Sequence, residues 1–467
     1  MERTLEHELK LDPPDAFELP ALPGQPLEPR VFTSTYFDTP DHSLTRARIT
    51  LRRRVENGVS RWQLKLPRGE NARSEIEEVG GPAELPDGLR ELLTAHLVHG
   101  ELEPIATLRT RRVGVRVGDD GRQIADVTLD TVEILEEGQS AGGFAELEVE
   151  LLDGDEDDLE RLGHLLRGAG AERSDGRPKV FRVLGDASRE PGGGDDSTAE
   201  RIAGLLSAQL GELEAHDPGT RTGDDPEDLH QFRVATRRAR AIIRATKPLV
   251  GDSLESLGVE LKWLASTLGA VRDLDVLLGH LRDEVVSLDV DRSAGERILE
   301  EIERDHARVR AELLQALQSP RYKALLISFR AGAARIRASQ VEGELRPLAR
   351  RAFERLRKAA AVMPADPSDE AMHALRIRAK RARYAAELLE GKKLRRYIAA
   401  LKEVQDVVGE HQDAVVAEGR IRAAARPETT VAAGRLIERE RARRLDRRRA
   451  YPDALAATLR RGEGAFN

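Results

Sequence analysis

The segment TLEHELKL, residues 4–11, sets Glu6, Glu8 and Lys10 two residues apart, with Leu5, Leu9 and Leu11 in the alternate phase. Side chains at i, i+2 and i+4 of an extended strand share one face. As a strand, this stretch stands two carboxylates and an ammonium in a row against an apolar back. The same period returns at Arg52 and Arg54, at Arg73, Glu75 and Glu77, at Arg109 and Arg111, and at Glu146, Glu148 and Glu150, the last row backed by Leu147, Val149 and Leu151. These rows lie in runs bounded by turn residues: RVFTSTYFDT, RITLRRRVE, SRWQLKLP, TLRTRRVGVRV, QIADVTLDTVEIL and GFAELEVELL. Period-two patterning and β-branched residues make each a strand. Residues 87–98 and 157–168 read as short helices.

On any single strand the alternation fits a sandwich with a solvated outer face. The sorting by sign is what departs from that pattern. One strand is triply acidic and two present paired arginines. Segregated acids and bases have a use if they face each other across a lumen that holds a metal-bound polyanion. Carboxylate oxygens suit Mg²⁺ or Mn²⁺, and arginine forks suit phosphate oxygens.

The chain has 467 residues, enough for two or three domains. Aromatics are only 3% of it, so aliphatic side chains must fill its cores. With no cysteine, disulfides, zinc–thiolate sites and a cysteine nucleophile are excluded. The start, MERTLEHELK, has no signal-peptide core, and no run of about 18 apolar residues occurs. A soluble cytoplasmic protein without a membrane partner is expected. The net charge of −8 argues against a general nucleic-acid binder, and its distribution is uneven: residues 1–190 sum to −14 and the remainder to +6. Two separate tasks are implied. Residues 186–198, DASREPGGGDDST, break both periodicities. They set expected boundaries at 1–185 for a β domain, 186–196 for a linker and 197–462 for an all-α domain.

The α half contains an internal repeat. HQFRVATRRAR, residues 230–240, matches HALRIRAKRAR, residues 373–383, and LKWLASTLGAVRD, residues 261–273, matches LKEVQDVVGEHQD, residues 401–413. Two copies of one helical unit about a pseudo-two-fold axis are expected. On a helix, His230, Arg233, Arg237, Arg240 and Arg244 form one narrow stripe, with Phe232, Ala235, Ala239, Ile242 and Ile243 on the far side. The second copy offers His373, Arg376, Lys380 and Arg383. A solvated helix face normally interleaves acids at i+4, and neither stripe has one along its matched core. A cationic row that repels itself expects an anion from outside.

The strand series resembles the CYTH family of triphosphate tunnel metalloenzymes, through EHELK (6–10), YFDT (36–39), LRRR (51–54), LKLP (64–67), RSEIEE (73–78), RTR (109–111), LD (129–130), ELEVE (146–150) and a late PK (178–179). The resemblance spans roughly residues 1–185. It implies an eight-stranded antiparallel tunnel, Mg²⁺ or Mn²⁺ held by Glu6, Glu8, Glu146, Glu148 and Glu150, and water activation by the last three. It implies phosphate binding by Lys10, Arg52, Arg54, Lys65, Arg109, Arg111 and Lys179, and places Arg73, Glu75, Glu77 and Asp130 in the lumen. The repeat resembles the CHAD family, helical domains often found behind CYTH domains. That resemblance covers roughly residues 197–462 and implies two antiparallel four-helix units that bind inorganic polyphosphate. The corresponding residues are His230, Arg233, Arg237, Arg238, Arg240 and Lys262, with His373, Arg376, Lys380, Arg381, Arg383 and Lys402. Asp273, Asp275, Asp406 and Asp413 are expected to orient these bases.

The expected fold class is therefore α+β, a β tunnel followed by paired helical bundles. The expected activity is metal-dependent hydrolysis of inorganic triphosphate, coupled to polyphosphate binding in the cytoplasm or at polyphosphate granules. A non-catalytic granule-binding protein, and a tunnel acting on thiamine triphosphate or ATP, stay open as alternatives. No Ser/His/Asp set, Walker loop or G-x-G-x-x-G competes for the role.

Overall fold

A computed structural model describes residues 1–68, 72–81, 84–119, 121–185, 197–364 and 366–466; the expected linker, 186–196, lies outside the described residues. Two compact units result, Met1–Gly192 with Asp217–Thr222, and Gly193–His216 with Gly223–Asn467. The first contains strands β1 (Glu2–Asp12), β2 (Gly24–Pro26), β3 (Arg30–Asp38), β4 (Thr50–Glu56), β5 (Val59–Arg68), β6 (Ala72–Val79), β7 (Glu103–Asp119), β8 (Arg122–Glu136), β9 (Gln139–Leu151) and β10 (Glu172–Arg173). Its helices are α1 (Ser43–Arg46), α2 (Asp87–Leu92), α3 (Thr94–Leu97), α4 (Glu156–Gly168) and α5 (Lys179–Leu184). All pairings are antiparallel, in the order β1-β6-β5-β4-β3-β7-β8-β9, and β9 returns to β1 to close an eight-stranded barrel. The short β2 and β10 pair with β7 and β1.

The alternation in the sequence sorts the strand faces, and the barrel is charged inside and apolar outside. Leu11, Leu147 and Val149 point outward and are buried beneath Leu159, Leu162 and Leu166 of α4. Leu51, Leu64 and Ile76 are covered by Leu89, Leu92 and Leu93 around α2 and α3. Leu108 and Val132 instead share the inward phase of Thr110, Arg112 and Asp130, and they pack with Tyr36 against Val180 and Phe181 of α5. Leu5, in the same phase as Leu9, lies beyond this cladding and is 61% exposed. The helix expected over 87–98 is split into α2 and α3, and α1 and α5 were not foreseen, being one to two turns long.

The second unit contains α6 (Thr198–Thr222) as far as His216, and α7 (Pro226–Val250), α8 (Glu255–Val286), α9 (Arg292–Gln318), α10 (Pro320–Arg337), α11 (Leu345–Ala361), α12 (Asp369–Ala386), α13 (Lys392–Ala424) and α14 (Thr430–Phe466). The motif helices begin on side-chain caps: Asp225 accepts from Glu227 N–H and Ser368 from Ala371 N–H. The repeated segments fall on α7 with α8 and on α12 with α13. Around α11–α14 the core is Ala- and Leu-rich, with Phe353, Tyr397 and Phe466 packed ring on ring.

The Asp of the YFDT motif has a structural task. Asp38 is fully buried, and its carboxylate accepts from the backbone N–H of Thr39 (2.7 Å), Leu44 (2.9 Å) and Thr45 (2.9 Å) and from the Thr45 hydroxyl (2.6 Å). It closes the β3–β4 connection over α1. Asp38→Ala leaves four buried donors unmet, so the barrel should lose about 3 kcal/mol or more. Urea unfolding followed by Trp62 fluorescence in a Trp263→Phe background checks this, and an unmoved midpoint would contradict it.

Candidate functional site

The inward faces of the strands enclose a cavity of 250 Å³. Its wall takes Glu6, Glu8 and Lys10 from β1, Arg73, Glu75 and Glu77 from β6, Gln63 and Lys65 from β5, Arg52 and Arg54 from β4, Asp130 from β8, and Glu148 and Glu150 from β9. Lys179, at the start of α5, projects into the same space. Of the tunnel residues expected from sequence, Glu146 lies just behind this wall, fully buried and in contact with Lys10 and Lys179. A wider opening of 660 Å³ continues the cavity, sharing Arg30, Arg54, Gln63, Glu77, Arg112 and Glu150.

Arg109 and Arg111 need correction: both side chains are exposed outside the barrel. The inward phase of β7 runs through Thr110 and Arg112, and Arg109 instead approaches Glu133, also outward, at 3.8 Å. The run RTRR puts arginines in both phases, so the sequence pattern alone does not identify the lumen base. That base is Arg112, which donates to both oxygens of Asp130 at 2.7 Å and also to Glu148.

The lumen charges fall into two zones. In one, Lys179 lies 2.6 Å from Glu148 and 3.1 Å from Asp130 and also contacts Glu146; Lys10 lies 3.1 Å from Glu148. Burial opposes ionisation of Glu148, Lys179, Lys10 and Arg112. For Glu148, Lys179, Lys10 and Arg112 outweigh it and hold the carboxyl well below its ordinary range. Burial likewise works against Lys179 and Lys10, but the surrounding carboxylates raise both. In the other zone acids face acids. Glu6 is pushed up to about 7 by burial and by its hydrogen bond with Glu75, against the pull of Lys65. Glu150 is raised to about 7 by burial and by Glu6. Glu8 stays low, since Lys10, Lys65 and Arg73 overcome its burial.

A buried oxygen-only donor set of this kind, uncomfortable when ionised alone, fits a hard divalent cation. Glu6, Glu8, Glu75 and Glu150 would hold it. Among the described residues no three acids or histidines are gathered at ligating distance; Glu146 and Glu148 are paired with lysines, Glu6 and Glu75 with Lys65, and Glu8 with Arg73 and Lys10. The basic wall is held as well: Arg52 donates to Gln63 (2.6 Å) and Tyr36 (3.3 Å), Arg73 to Glu8 (3.1 Å), and Arg54 lies 3.6 Å from the Phe32 ring centroid.

In the helical unit the two stripes converge. Arg233 and Arg237 of α7 and Arg376 of α12 together depress Lys380, after burial, to about 7, with only Asp413 acting the other way. Burial and the neighbouring Arg233, Arg383 and Arg376 also lower Arg237. Each repeat supports its arginine in the same manner. Arg233 lies across Gly269 of α8 and donates to Asp273 at 3.0 Å. Arg376 lies across Gly409 of α13, within the field of Asp413. A Cβ at Gly409 would stand 3.3 Å from the Arg376 guanidinium. These glycines were not singled out from sequence, although they occupy matching positions of the second repeated segment. Arg240 and Arg381 line an adjoining groove, while Arg238 turns to Glu387 (3.8 Å) and Arg383 to Glu387 (2.9 Å) and Gln405. His230 is half-buried, and burial with Arg272 lowers it; His373, Lys262 and Lys402 are exposed. Asp275 pairs with His306 at 2.7 Å rather than with a stripe.

Comparison with known proteins agrees with both halves. The CYTH domain matches residues 4–174 and the CHAD domain residues 204–422. Two uncharacterized proteins of Mycobacterium tuberculosis, from strains CDC 1551 and H37Rv, are each 32% identical over 462 residues, spanning 89% of this chain and 87% of their own. The chain belongs to the family of proteins in which a CYTH domain precedes a CHAD domain. CYTH domains are metal-dependent tunnel enzymes. Among solved structures, the CHAD domain from Ricinus communis is 28% identical, covering 56% of this chain and 93% of its own, with a TM-score of 0.49. A Hippeastrum protein described as a putative adenylyl cyclase with a dominant triphosphatase activity is 20% identical, covering 40% of this chain and 97% of its own, with a TM-score of 0.26. Among the described residues no helix is long and apolar enough to cross a membrane.

Lys380 gives the helical site a pH dependence of known sign. Its folded value of about 7 leaves it largely neutral above that pH, and a polyanion seated beside it restores the proton. Affinity for long-chain polyphosphate should therefore be level just below pH 7 and fall from 7 to 9, by at most about tenfold per unit for one proton. Lys380→Arg, which keeps its charge, should flatten the fall. Affinities measured at constant ionic strength across this range check it; a slope unchanged by the substitution would exclude Lys380.

Proposed function

We propose that the barrel hydrolyses a phosphoanhydride bond of inorganic triphosphate with Mg²⁺ or Mn²⁺, and that the helical unit binds inorganic polyphosphate. The observation that supports the first reading best is the division of the lumen into a zone where bases hold Glu148 ionised and a zone where burial and neighbouring acids raise Glu6 and Glu150 despite Lys65. Lys10, Lys65, Arg52, Arg54, Arg73, Arg112 and Lys179 offer charge-assisted donors to phosphate oxygens without addressing a base or sugar. A bound divalent ion supplies Lewis-acid neutralisation of those oxygens. Carboxyls held near pH 7, at Glu6 and Glu150, can accept a proton from water at neutral pH.

The lumen also favours an inorganic substrate over thiamine triphosphate or a nucleotide. Its two rings are engaged, Phe32 beneath Arg54 and Tyr36 bonded to Arg52, and stacking an organic ring there would displace phosphate binders. The acidic row favours an enzyme over a binding-only protein, since carboxylates in the lumen repel a polyanion unless a metal is used.

For the helical unit the supporting observation is the convergence of Arg233, Arg237, Arg376 and Lys380, which neighbouring acids only partly offset. Residence in the cytoplasm or at polyphosphate granules accords with that ligand.

Phosphate release from tripolyphosphate, ATP and thiamine triphosphate, each with and without divalent metal, tests the assignment; tripolyphosphate should be the best substrate. Glu150→Gln should lower that rate about 100-fold or more while leaving urea stability equal or higher, because it removes a buried charge among like charges. Glu148→Gln should instead destabilise the barrel by about 3 kcal/mol, since it takes one buried carboxylate at once from Lys10, Lys179 and Arg112. Full metal-dependent turnover in a folded Glu150→Gln protein would sink the acidic-zone assignment.

A further inference from the structure

Beside the convergent stripes, α7, α11 and α12 enclose a groove of 430 Å³, within the range of small-molecule sites. Helix α7 gives it Arg237, Arg240 and Arg244, and α12 gives Lys380 and Arg381. From α11 come Arg351 and Arg355, outside both repeated motifs. No acid lines the groove, and among the described residues none of these cations has a carboxylate within ion-pair distance. Elsewhere in the same unit arginines are routinely bound to acids, as Arg321 is to Glu260, Arg337 to Glu200, Arg439 to Glu284 and Arg448 to Asp369. Burial and the neighbouring arginines lower Arg237, Arg240 and Arg381. Arg237 also has a buried Nε with no hydrogen-bond partner. A cationic wall left open in this way is suited to an external anion.

Between the cations the groove is carbon. Ala241 and Ala245 of α7, Leu348 and Ala352 of α11, and Ile377 and Tyr384 of α12 make up its floor. Inorganic polyphosphate has no apolar surface to lay on such a floor, and burying it would require a ligand that joins an anionic end to an apolar one. The rim selects further. Guanidinium planes stack on flat rings and gain nothing comparable from an acyl chain, and the four arginines other than Arg237 and Arg381 would be excessive for a single phosphate. We propose that this groove binds a nucleoside polyphosphate, with its phosphates toward Arg237 and Lys380 and its base on the floor between Ala245, Ala352 and Ile377. The helical unit would thereby read an organic phosphate at the edge of the surface that holds the inorganic polymer. This rests on the reading that the convergent cluster takes phosphoryl groups.

The test uses the full chain and a segment-resolved readout, so that binding in the barrel does not interfere. Hydrogen exchange of peptides from α7, α11 and α12 is titrated with tripolyphosphate, ATP and dodecyl phosphate. Tripolyphosphate and ATP carry three phosphates each and differ by the nucleoside. ATP should protect these peptides with about tenfold or greater affinity over tripolyphosphate, the gain expected from burying part of a ring, and dodecyl phosphate should bind most weakly. Ala352→Leu, which fills the floor, and Ile377→Ser, which removes part of it at a half-exposed position, should each bring ATP down to the level of tripolyphosphate. Unchanged tripolyphosphate protection in those variants shows that they are folded. If tripolyphosphate protects and ATP is no tighter, the nucleoside proposal fails alone. If dodecyl phosphate binds more tightly than ATP, the floor takes a chain and the proposal is overturned. If neither tripolyphosphate nor ATP protects these helices, the phosphoryl reading of the cluster fails and takes the proposal with it.

Discussion

The buried ion pairs of Lys10 and Lys179 with Glu146, Glu148 and Asp130 are the constraint on which the barrel rests. Removing a charge from water costs several kcal/mol per ion unless a partner and hydrogen bonds replace the solvent, and here several charges are removed together. Neither lysine could be left without its acids, nor the acids without both lysines. One lysine comes from the first strand and the other from α5, after the last strand of the barrel. With much of the interior given over to charge, most of the hydrophobic effect acts outside. This explains why α2, α3 and α4 are laid over the outward leucines, and why two of the apolar cores sit between barrel and cladding, while a third lies on the inward face under α5.

That inversion also explains which parts of the site could be read from sequence. Strict period-two rows at Glu6 to Lys10 and at Glu146 to Glu150 mark a face without ambiguity, and the lumen contains or abuts them all. The RTRR run carries bases in both phases, so nothing local says which phase faces inward. Pairing across to Asp130 decides for Arg112, and that is a property of register, not of composition. Uniform composition hid a second distinction. The three glutamates of ELEVE look equivalent in sequence, yet Glu148 is held well below its ordinary range by Lys179, Lys10 and Arg112 while Glu150 is raised to about 7 by burial and by Glu6, a difference made by strands far apart in the chain. Leu5 shows the same limit in reverse, an apolar residue in the correct phase but beyond the reach of any covering helix.

In the helical unit the repeat was legible because its histidine and arginines recur at fixed offsets. What could not be read was the meeting of the two stripes, since helical spacing describes one helix at a time. Gly269 and Gly409 matter through what they lack, allowing a guanidinium to lie across the neighbouring helix, and the absence of a side chain leaves little signal. Arg351 and Arg355 belong to a helix with no repeated motif. What the two stripes share is a field, in which burial and the neighbouring bases lower Arg237 and Lys380 and leave the cluster ready for an anion.

The closure of β9 onto β1 has a consequence for synthesis. Lys10 and Glu148 are 138 residues apart, and a ribosome adding about 5–20 residues per second needs on the order of ten seconds to make the second after the first. During that interval the Glu8–Leu11 end of β1, whose partner is β9 while Glu2–His7 pairs with β6, is an open edge on a nascent chain, the kind of strand that recruits others. Its alternating Glu6, Glu8 and Lys10 make it a poor template, because a second strand laid against it would bury charge without a partner. The row that later lines the tunnel thus first serves as a guard against aggregation, keeping the earliest strand solvated until the rest of the barrel arrives.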